Sequence, residues 1–270
     1  MKFAIIVSEK DKAAMNIKSA LTGTYFKPTK EFFEDQVIFE YGETKLYTIK
    51  SDSVSFETSD KIDADFIIFA TKHQSKAGTP SLSAHVVGNW GSAELGGKPK
   101  TLGIADSQFV KRALQLLEEK NLSGFESVQE ATHHGPNSTK PLLFIEIGSS
   151  DKEYANSEAG RIIAETIIEL LTFKPKDGIS AVGIGGLHHT PNFKKIQINT
   201  DIAVGHICPK YALDSLNKEM LLQAIEKTIP KPQLIILDWK GLGEHKERIR
   251  QLAEEVSKEL NLKVMKTHDF

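Results

Sequence analysis

The strongest constraint on the fold is an alternation, sustained along all 270 residues, of short apolar runs with segments whose apolar residues recur at helical spacing. The apolar runs are rich in β-branched residues and predict strands at 3–7, 36–41, 44–50, 66–70, 128–131, 142–147, 179–184, 195–198, 202–207, 234–237 and 262–265. The segments between them predict helices at 10–21, 107–120, 151–173, 213–227 and 244–260. Because strands that alternate with helices form mostly parallel sheets, we predict an α/β fold with a sheet covered by helices on both faces. The hairpin around Gly42-Glu43 makes the predicted sheet mixed, mostly parallel.

Two helix starts carry capping signals. Ser8 is the predicted cap of the first helix, and Ser150 with Glu153 has the spacing of a capping box.

We find no low-complexity linker and no internal repeat, so we predict a single domain over residues 1–270. Residues 77–98 break the alternation, with five glycines and Pro80. A loop this long is usually functional or disordered, and the apolar residues around Trp90 disfavour disorder. We therefore predict an ordered active-site loop at about residues 72–100.

Composition and apolar run length exclude several classes of protein. The longest apolar runs, such as 66–70, are far too short to span a bilayer, and the N-terminal residues lack the pattern of a signal peptide. Cys208 is the only cysteine, so no internal disulfide forms, which fits a reducing compartment and predicts a cytoplasmic protein. The net charge of −2, from 34 basic and 36 acidic residues, argues against indiscriminate binding to nucleic acid. A local basic patch remains compatible with that charge.

Seven of the nine histidines fall in four short segments, and three of those segments follow predicted strands. Ligands of open α/β sheets bind outside the carboxyl ends of strands, so these side chains should meet at one edge. A single histidine is most often a surface or hydrogen-bonded structural residue, but this grouping favours a zinc site with about three protein ligands. The sequence contains no HExxH or CxxC motif that would support the zinc site, and we interpret Cys208 as a buried residue of the core. The predicted ligands are His73, His85, His133, His134, His188 and His206.

Glu146 is the most informative single residue because it interrupts an apolar run, 142–147, that should be buried. A buried carboxylate costs several kcal/mol unless it meets a cation, a donor or a raised pKa. One interpretation is a metal ligand or general base. The alternatives are an ion pair with a structural Arg or Lys, or an edge-strand position facing water.

Polar residues near the same predicted edge are candidates for binding an anionic substrate. Gly148-Ser149-Ser150 leads into a helix N-terminus, whose free amides suit an anion, although a plain helix cap explains the same residues. Several lysines near the histidines, including Lys195, could meet a nucleic-acid backbone, although solvated lysines are the default. The predicted substrate-binding residues are Lys72, Ser75, Lys76, Asn89, Ser149, Ser150, Lys194 and Lys210.

The blocks that contain these residues resemble the D-aminoacyl-tRNA deacylases of the archaeal and plant type, and the resemblance runs nearly end to end. The blocks that carry it are KHQS at 72–75 with GTP at 78–80, HVVGNW at 85–90, EATHHGP at 130–136, FIEIGSS at 144–150 and GIGGLH at 183–188. The chain departs from the family pattern at His189, where many members carry Tyr, and at Tyr154, where they carry Trp. The resemblance implies hydrolysis of the ester between a D-amino acid and the terminal ribose of tRNA, zinc as cofactor, and a phosphorylase/peptidyl-tRNA hydrolase-like fold.

The expected mechanism is a histidine-held zinc, one or two per chain, that lowers the pKa of water toward 7 and polarises the ester carbonyl. The expected catalytic residues are Glu146, His134 and His188, with Glu146 or a non-ligating histidine relaying the proton. The expected partner is aminoacylated tRNA as substrate, with no membrane and no obligatory protein partner, so that the chain is a monomer. Two alternatives stay open: a metal-dependent hydrolase or phosphorylase of small molecules, and a tRNA-binding protein without catalysis.

Overall fold

The computed structural model describes residues 1–74, 78–176 and 178–270. Its seven helices are α1 (Lys12–Thr24), α2 (Ser107–Lys120), α3 (Asp151–Tyr154), α4 (Ser157–Thr172), α5 (Pro191–Asn199), α6 (Lys218–Glu226) and α7 (Lys246–Leu260). The strands of the first half are β1 (Phe3–Ser8), β2 (Lys27–Phe33), β3 (Gln36–Tyr41), β4 (Thr44–Ile49), β5 (Phe66–Gln74), β6 (Ser81–His85), β7 (Gly88–Asn89), β8 (Thr101–Leu102), β9 (Ala105–Asp106), β10 (Glu126–Gln129) and β11 (Leu142–Ser149). Those of the second half are β12 (Ile179–Ile184), β13 (Ile202–Cys208), β14 (Thr228–Ile229), β15 (Leu234–Leu237) and β16 (Lys263–Lys266).

The larger sheet has eight strands in the order β10-β6-β11-β5-β1-β4-β3-β2. The strands from β11 through β4 run parallel to one another, whereas β6 pairs antiparallel with β11, and β2 and β3 add an antiparallel hairpin at the far edge. All eight residues of β11 are buried, as expected of a strand covered on both faces.

The two faces of this sheet are covered differently. Helices α1, α2 and α4 pack on one face, where Ile5, Ile68 and Ile145 meet their apolar sides. On the other face Phe69 and Phe144 pack with Phe56, which belongs to a segment of short 3₁₀ turns rather than to a helix. That second face is therefore open to side chains supplied by loops.

The smaller sheet has four parallel strands in the order β13-β12-β15-β16. Helix α5 packs on one face through Phe193 and Ile196, and α6 and α7 pack on the other. The strand order reverses between β12 and β15, and open α/β sheets bind ligands in the crevice at such a reversal. The loop after β12 carries His188 and His189 into this region.

The predicted α/β fold class is confirmed, and several elements match the prediction to the residue, among them α2, β12 and β15. The capping box of Ser150 and Glu153 is present, whereas Asp11, not Ser8, caps α1 by accepting from the amides of residues 13 and 14. Besides the one sheet predicted, the described residues form a second sheet of four strands and two two-stranded pairs, β14-β9 and β7-β8. No helix among the described residues is long and apolar enough to cross a membrane.

Three predicted elements differ from the structure. The predicted strand 195–198 lies inside helix α5, because Pro191 starts that helix and its buried residues Phe193, Ile196 and Gln197 recur at helical spacing. The predicted helix 151–173 is divided, since α3 ends at Tyr154 and Asn156 caps the start of α4. The predicted loop 72–100 contains β6, a strand inside the larger sheet, as well as the end of β5. Ser75 and Lys76 lie outside the described residues.

Candidate functional site

Three of the predicted site residues project from the same face of the larger sheet. Side chains alternate between the faces of a strand, so His73 shares the face of Phe69, and Glu146 shares that of Phe144. His85 is the last residue of β6 and pairs with Phe144. This is the face without helices, so the three polar side chains converge where no helix covers them.

The segment that follows β10 brings Glu130, His133 and His134 to the same place. It runs between the two sheets, and the amide of Thr132 donates to the carbonyl of Ile207 at 3.0 Å. The carbonyl of His134 accepts from the amide of Gly88 at 2.8 Å, and the backbone of His134 has a φ of 45°. Non-glycine residues are uncommon in this left-handed region and concentrate at functional sites.

The loop after β12 supplies His188 and His189. Gly185 and Gly186 have φ values of 103° and 87°, which glycine adopts readily because it has no Cβ. The carbonyl of His188 accepts from the amide of Ala131, which holds the loop against the segment after β10. The smaller sheet thus completes a site that the larger sheet begins.

The first set of possible ligands consists of His85, His133 and His134, with ring nitrogens within 4.8 Å of one another. In each ring Nδ1 lies within hydrogen-bond distance of a backbone carbonyl: 3.0 Å for His85, 2.8 Å for His133 and 2.5 Å for His134. An Nδ1–H that donates to a carbonyl leaves the lone pair on Nε2, which is the arrangement of metal-binding histidines. The buried Nε2 of His85 has no hydrogen-bond partner among the described residues.

The second set consists of His73, Glu130 and His188. Glu130 is only 2% exposed, and its Oε2 lies 3.0 Å from Nδ1 of His73 and 2.9 Å from Nε2 of His188. Its other oxygen, Oε1, is buried without a partner in the described chain. Glu146, 3% exposed, lies between the two sets, with carboxylate oxygens 3.6 Å from Nδ1 of His73 and 3.7 Å from Nε2 of His85.

We call these seven side chains the histidine–carboxylate cluster. Its members are His73, His85, Glu130, His133, His134, Glu146 and His188. In the described chain the cationic partners of Glu146 are histidines rather than the structural Arg or Lys that one interpretation of the sequence required. The carboxylate also lies inside a central strand, so the edge-strand interpretation is wrong.

The electrostatics divide the histidines into two kinds. Burial lowers the pKa of His134 to about 3, and burial together with His134 and His85 holds the pKa of His133 well below its usual range. Burial also acts to lower the pKa of His73, but hydrogen bonds with Glu130 and Glu146 outweigh it and raise that pKa to about 10. Neutral His133 and His134 present lone pairs, while the two carboxylates attract positive charge. Such a donor set suits a divalent cation.

The cluster lies at the junction of two cavities. One, of about 430 Å³, is bordered by His73, Glu146 and His188 together with Lys10 and Lys72. The other, of about 380 Å³, lies between the segment 88–95 and Tyr211. His133, His134 and Leu95 border both. We call the two cavities together the cleft, and each of them an arm of it. A substrate bond held at the cluster would have room for one group in each arm.

His206 is the one predicted ligand that lies outside the cluster. Its Nε2 is 3.0 Å from the carbonyl oxygen of Gly103, and its Nδ1 is 3.2 Å from the hydroxyl of Thr132. With both nitrogens hydrogen-bonded, His206 is a structural residue that supports the segment after β10. Its ring nitrogens are therefore not available to a metal at the cluster, and the prediction of His206 as a ligand does not fit this geometry. Cys208 is buried, as the sequence indicated.

The predicted substrate-binding residues are dispersed. Lys72 borders the larger arm of the cleft, and Asn89 borders the other, with its Nδ2 donating to the carbonyl of Gly96. Ser149 donates to the carbonyl of Thr79, and Ser150 is bonded to the carboxylate of Glu153, so both are used within the chain. Of the three later lysines, Lys194 is paired with Glu118, Lys195 borders a separate cavity beside Asp238, and Lys210 begins the turn after β13 that also carries Tyr211.

Sequence reasoning missed three residues of the site. Glu130 is not among the predicted site residues, although, like Glu146, it is a carboxylate inside a predicted strand, 128–131. His189 lies with its Nε2 3.3 Å from that of His73. Tyr154 donates to the carbonyls of His73 and Ser149, both at 3.0 Å, and so ties the ends of β5 and β11 together.

Comparisons with known proteins extend over nearly the whole chain. A family model described as D-aminoacyl-tRNA deacylase matches residues 60–264, which include every member of the histidine–carboxylate cluster. A relative from Thermococcus kodakarensis named D-aminoacyl-tRNA deacylase is 39% identical over 272 residues, which cover 97% of this chain and 98% of the relative. Another of that name, from Archaeoglobus fulgidus, is 34% identical over 94% of this chain and 93% of its own. A crystal structure described as a conserved protein of unknown function, AF0625, superimposes with a TM-score of 0.91 at 30% identity, covering 99% of this chain and 96% of that one.

Proposed function

The chain belongs to the D-aminoacyl-tRNA deacylase family, and we propose that it hydrolyses the ester between a D-amino acid and the terminal ribose of tRNA at the histidine–carboxylate cluster. The products would be free tRNA and a D-amino acid, so the enzyme would recycle mischarged tRNA. The observation that carries this assignment is the convergence of five histidines and two buried carboxylates at the junction of the two cavities.

We propose zinc as the cofactor, with one ion held by His85, His133 and His134 and a second by His73, Glu130 and His188. The support is chemical: the first set offers three imidazoles oriented by backbone carbonyls, two of which, His133 and His134, are kept neutral by burial, and the second set adds a buried carboxylate. The buried, unpartnered Nε2 of His85 and Oε1 of Glu130 are polar atoms that a bound cation would satisfy. Bound zinc would lower the pKa of a water molecule and polarise the ester carbonyl.

The protein's own contribution to the reaction centres on Glu146. Its carboxylate borders the cleft between the two ligand sets, within 3.7 Å of His73 and His85. From there it can accept the proton of the attacking water and return it to the ribose oxygen as the ester bond breaks. Neutral His134 is unsuited to accept that proton, because burial holds its pKa at about 3. We therefore assign His134 to ligation rather than proton transfer, and we assign His188, whose Nε2 lies 2.9 Å from Glu130, to the second ligand set.

We propose that aminoacylated tRNA enters over Lys10 and Lys72, the two lysines at the mouth of the larger cavity. These are better placed than Lys194, whose charge is paired with Glu118 at 2.7 Å. A local pair of cations is compatible with the net charge of −2, since phosphate contacts act over short distances in salt. We further propose that the enzyme acts as a monomer in the cytoplasm, which fits its single, buried cysteine.

The test of the function compares two esters of one D-amino acid, D-phenylalanyl-tRNA and D-phenylalanine methyl ester. We expect the tRNA ester to be hydrolysed far more efficiently, and its KM to rise with salt by a log–log slope of about 0.7 to 0.9 per phosphate contact. The methyl ester makes no phosphate contact, so its KM should respond little to salt. If both esters were hydrolysed equally well, or if the KM for D-phenylalanyl-tRNA did not change with salt, the protein would instead be a hydrolase of small molecules.

A further inference from the structure

Large apolar side chains are exposed around a site that is otherwise polar. Leu95, Leu187 and Tyr211 are 62%, 70% and 64% exposed; Leu95 and Tyr211 border the cavity of about 380 Å³, and Leu187 directly precedes His188 of the cluster. Exposed apolar groups that gather around a polar site mark a surface that is covered when a ligand binds. Of the three, Tyr211 presents a flat aromatic ring.

The two arms of the cleft differ in charge. The arm of about 430 Å³ is bordered by ionic side chains, among them Lys10, Lys72 and Asp52. The arm of about 380 Å³ is bordered by the rings of Trp90 and Tyr211 and by small or uncharged residues, with Glu94 as its one carboxylate. The ester of the proposed substrate likewise joins two unlike groups: an amino acid with an ammonium group, and the terminal adenosine of tRNA with a flat, uncharged base.

Matching these groups to the two arms, and building on the proposed function, we infer that the aromatic arm is a purine-nucleoside subsite in which the terminal adenine stacks on Tyr211. Aromatic side chains are the usual platform for an unpaired base, because every base offers a π-face. The ionic arm then receives the amino acid, whose ammonium group can pair with Asp52, while Lys10 and Lys72 stay at the mouth of that arm, where the phosphates that precede the terminal ribose pass.

The setting of Tyr211 supports this assignment. It lies in the 3₁₀ turn Lys210–Ser215, which is anchored where the amide of Lys210 donates to the carbonyl of Gly186 at 2.9 Å. Its hydroxyl lies 3.2 Å from Nδ1 of His188, and the two rings are inclined by 30° with centroids 6.2 Å apart. The ring is therefore fixed beside the cluster at its hydroxyl end while most of its surface stays exposed. A base stacked there would bring its ribose next to His188.

The experiment compares Tyr211→Ala with Tyr211→Phe. Both variants lose the hydroxyl near His188, so any difference between them reports on the ring alone. We expect the KM for 3′-O-D-phenylalanyl-adenosine and for D-phenylalanyl-tRNA to be about ten- to a hundredfold higher in the alanine variant than in the phenylalanine variant, the range that base stacking gives. For D-phenylalanine methyl ester the two variants should match. Phe32→Ala is the control: Phe32 is 66% exposed on β2, at the opposite edge of the larger sheet, and its loss should leave all three substrates unaffected.

Calorimetry with adenosine 5′-monophosphate separates this inference from the proposed function. Binding that weakens about tenfold or more in Tyr211→Ala, but persists in Tyr211→Phe, supports the subsite even if the wild-type protein hydrolyses neither ester. If the wild-type protein hydrolyses D-phenylalanyl-tRNA and the two variants share the same KM and the same nucleotide affinity, the subsite is refuted and the deacylase function stands.

Discussion

Replacing Glu146 with glutamine should lower kcat for D-aminoacyl-tRNA by about a hundredfold or more, the usual contribution of a general base. Glutamine keeps the size and shape of the side chain but neither accepts a proton nor carries charge. The effect should fall on kcat, because Glu146 lies 3.6–3.7 Å from the histidines rather than at the mouth of the cleft. Single-turnover hydrolysis of D-phenylalanyl-tRNA measures it.

Glu153→Gln is the matched control for this change. Glu153 is also a buried carboxylate, but it bonds Ser150 at the start of α3 and lies outside the cluster. We expect its removal to affect the melting temperature more than the rate. Unchanged turnover in Glu146→Gln would show that Glu146 is a structural residue and not the general base. A loss of rate fully explained by a lower melting temperature would show the same.

Replacing Glu130 with glutamine should act through the metal. The Oε2 of Glu130 lies within 3.0 Å of both His73 and His188, so this one carboxylate orients two of the proposed ligands and is itself a third. We expect zinc affinity to fall by about 10- to 100-fold or more, as for other carboxylates that hold metal-binding histidines. Activity at limiting zinc should fall with it, and added zinc should restore part of the rate.

Rescue by zinc distinguishes the two carboxylates. Excess zinc should raise the activity of Glu130→Gln and leave that of Glu146→Gln unchanged, because only the first loses affinity for the ion. Glu126→Gln is the control, since Glu126 is exposed on β10, the strand that leads to Glu130. If Glu130→Gln bound zinc like the wild-type protein, the second ligand set would have to be reassigned.

The fold could be predicted because local pattern and tertiary environment agree along most of the chain. Strands such as β12 and β15 are short apolar runs buried on both faces, and α2 has a continuous apolar side. The segment 195–198 shows where that agreement fails. Its four residues fit the spacing of a strand as well as that of a helix, and only Pro191, four positions before residue 195, favours the helix.

The site could be predicted in part. Glu146 stood out because a carboxylate in an apolar strand needs a partner, and the structure places histidines beside it. His206 gave the same signal as the other histidines, but its position in β13 turns it toward Thr132 and Gly103. Which face of a strand a residue occupies, and what packs there, depends on the register between strands that are distant in sequence. The same limit concealed the pairing of Glu130 with His73.

The most direct measurement follows hydrolysis of D-phenylalanyl-tRNA by chelator-treated protein as zinc is returned in measured equivalents, with L-phenylalanyl-tRNA as the parallel substrate. We expect activity to disappear with the metal and to return in proportion to bound zinc, saturating at about two ions per chain, as in two-metal hydrolases. The restored rate should favour the D-ester. His85→Ala should bind less zinc and regain little activity, whereas His268→Ala, exposed at the far end of the chain, should behave like the wild-type protein. Full turnover by metal-free protein would contradict a zinc-dependent deacylase at the histidine–carboxylate cluster.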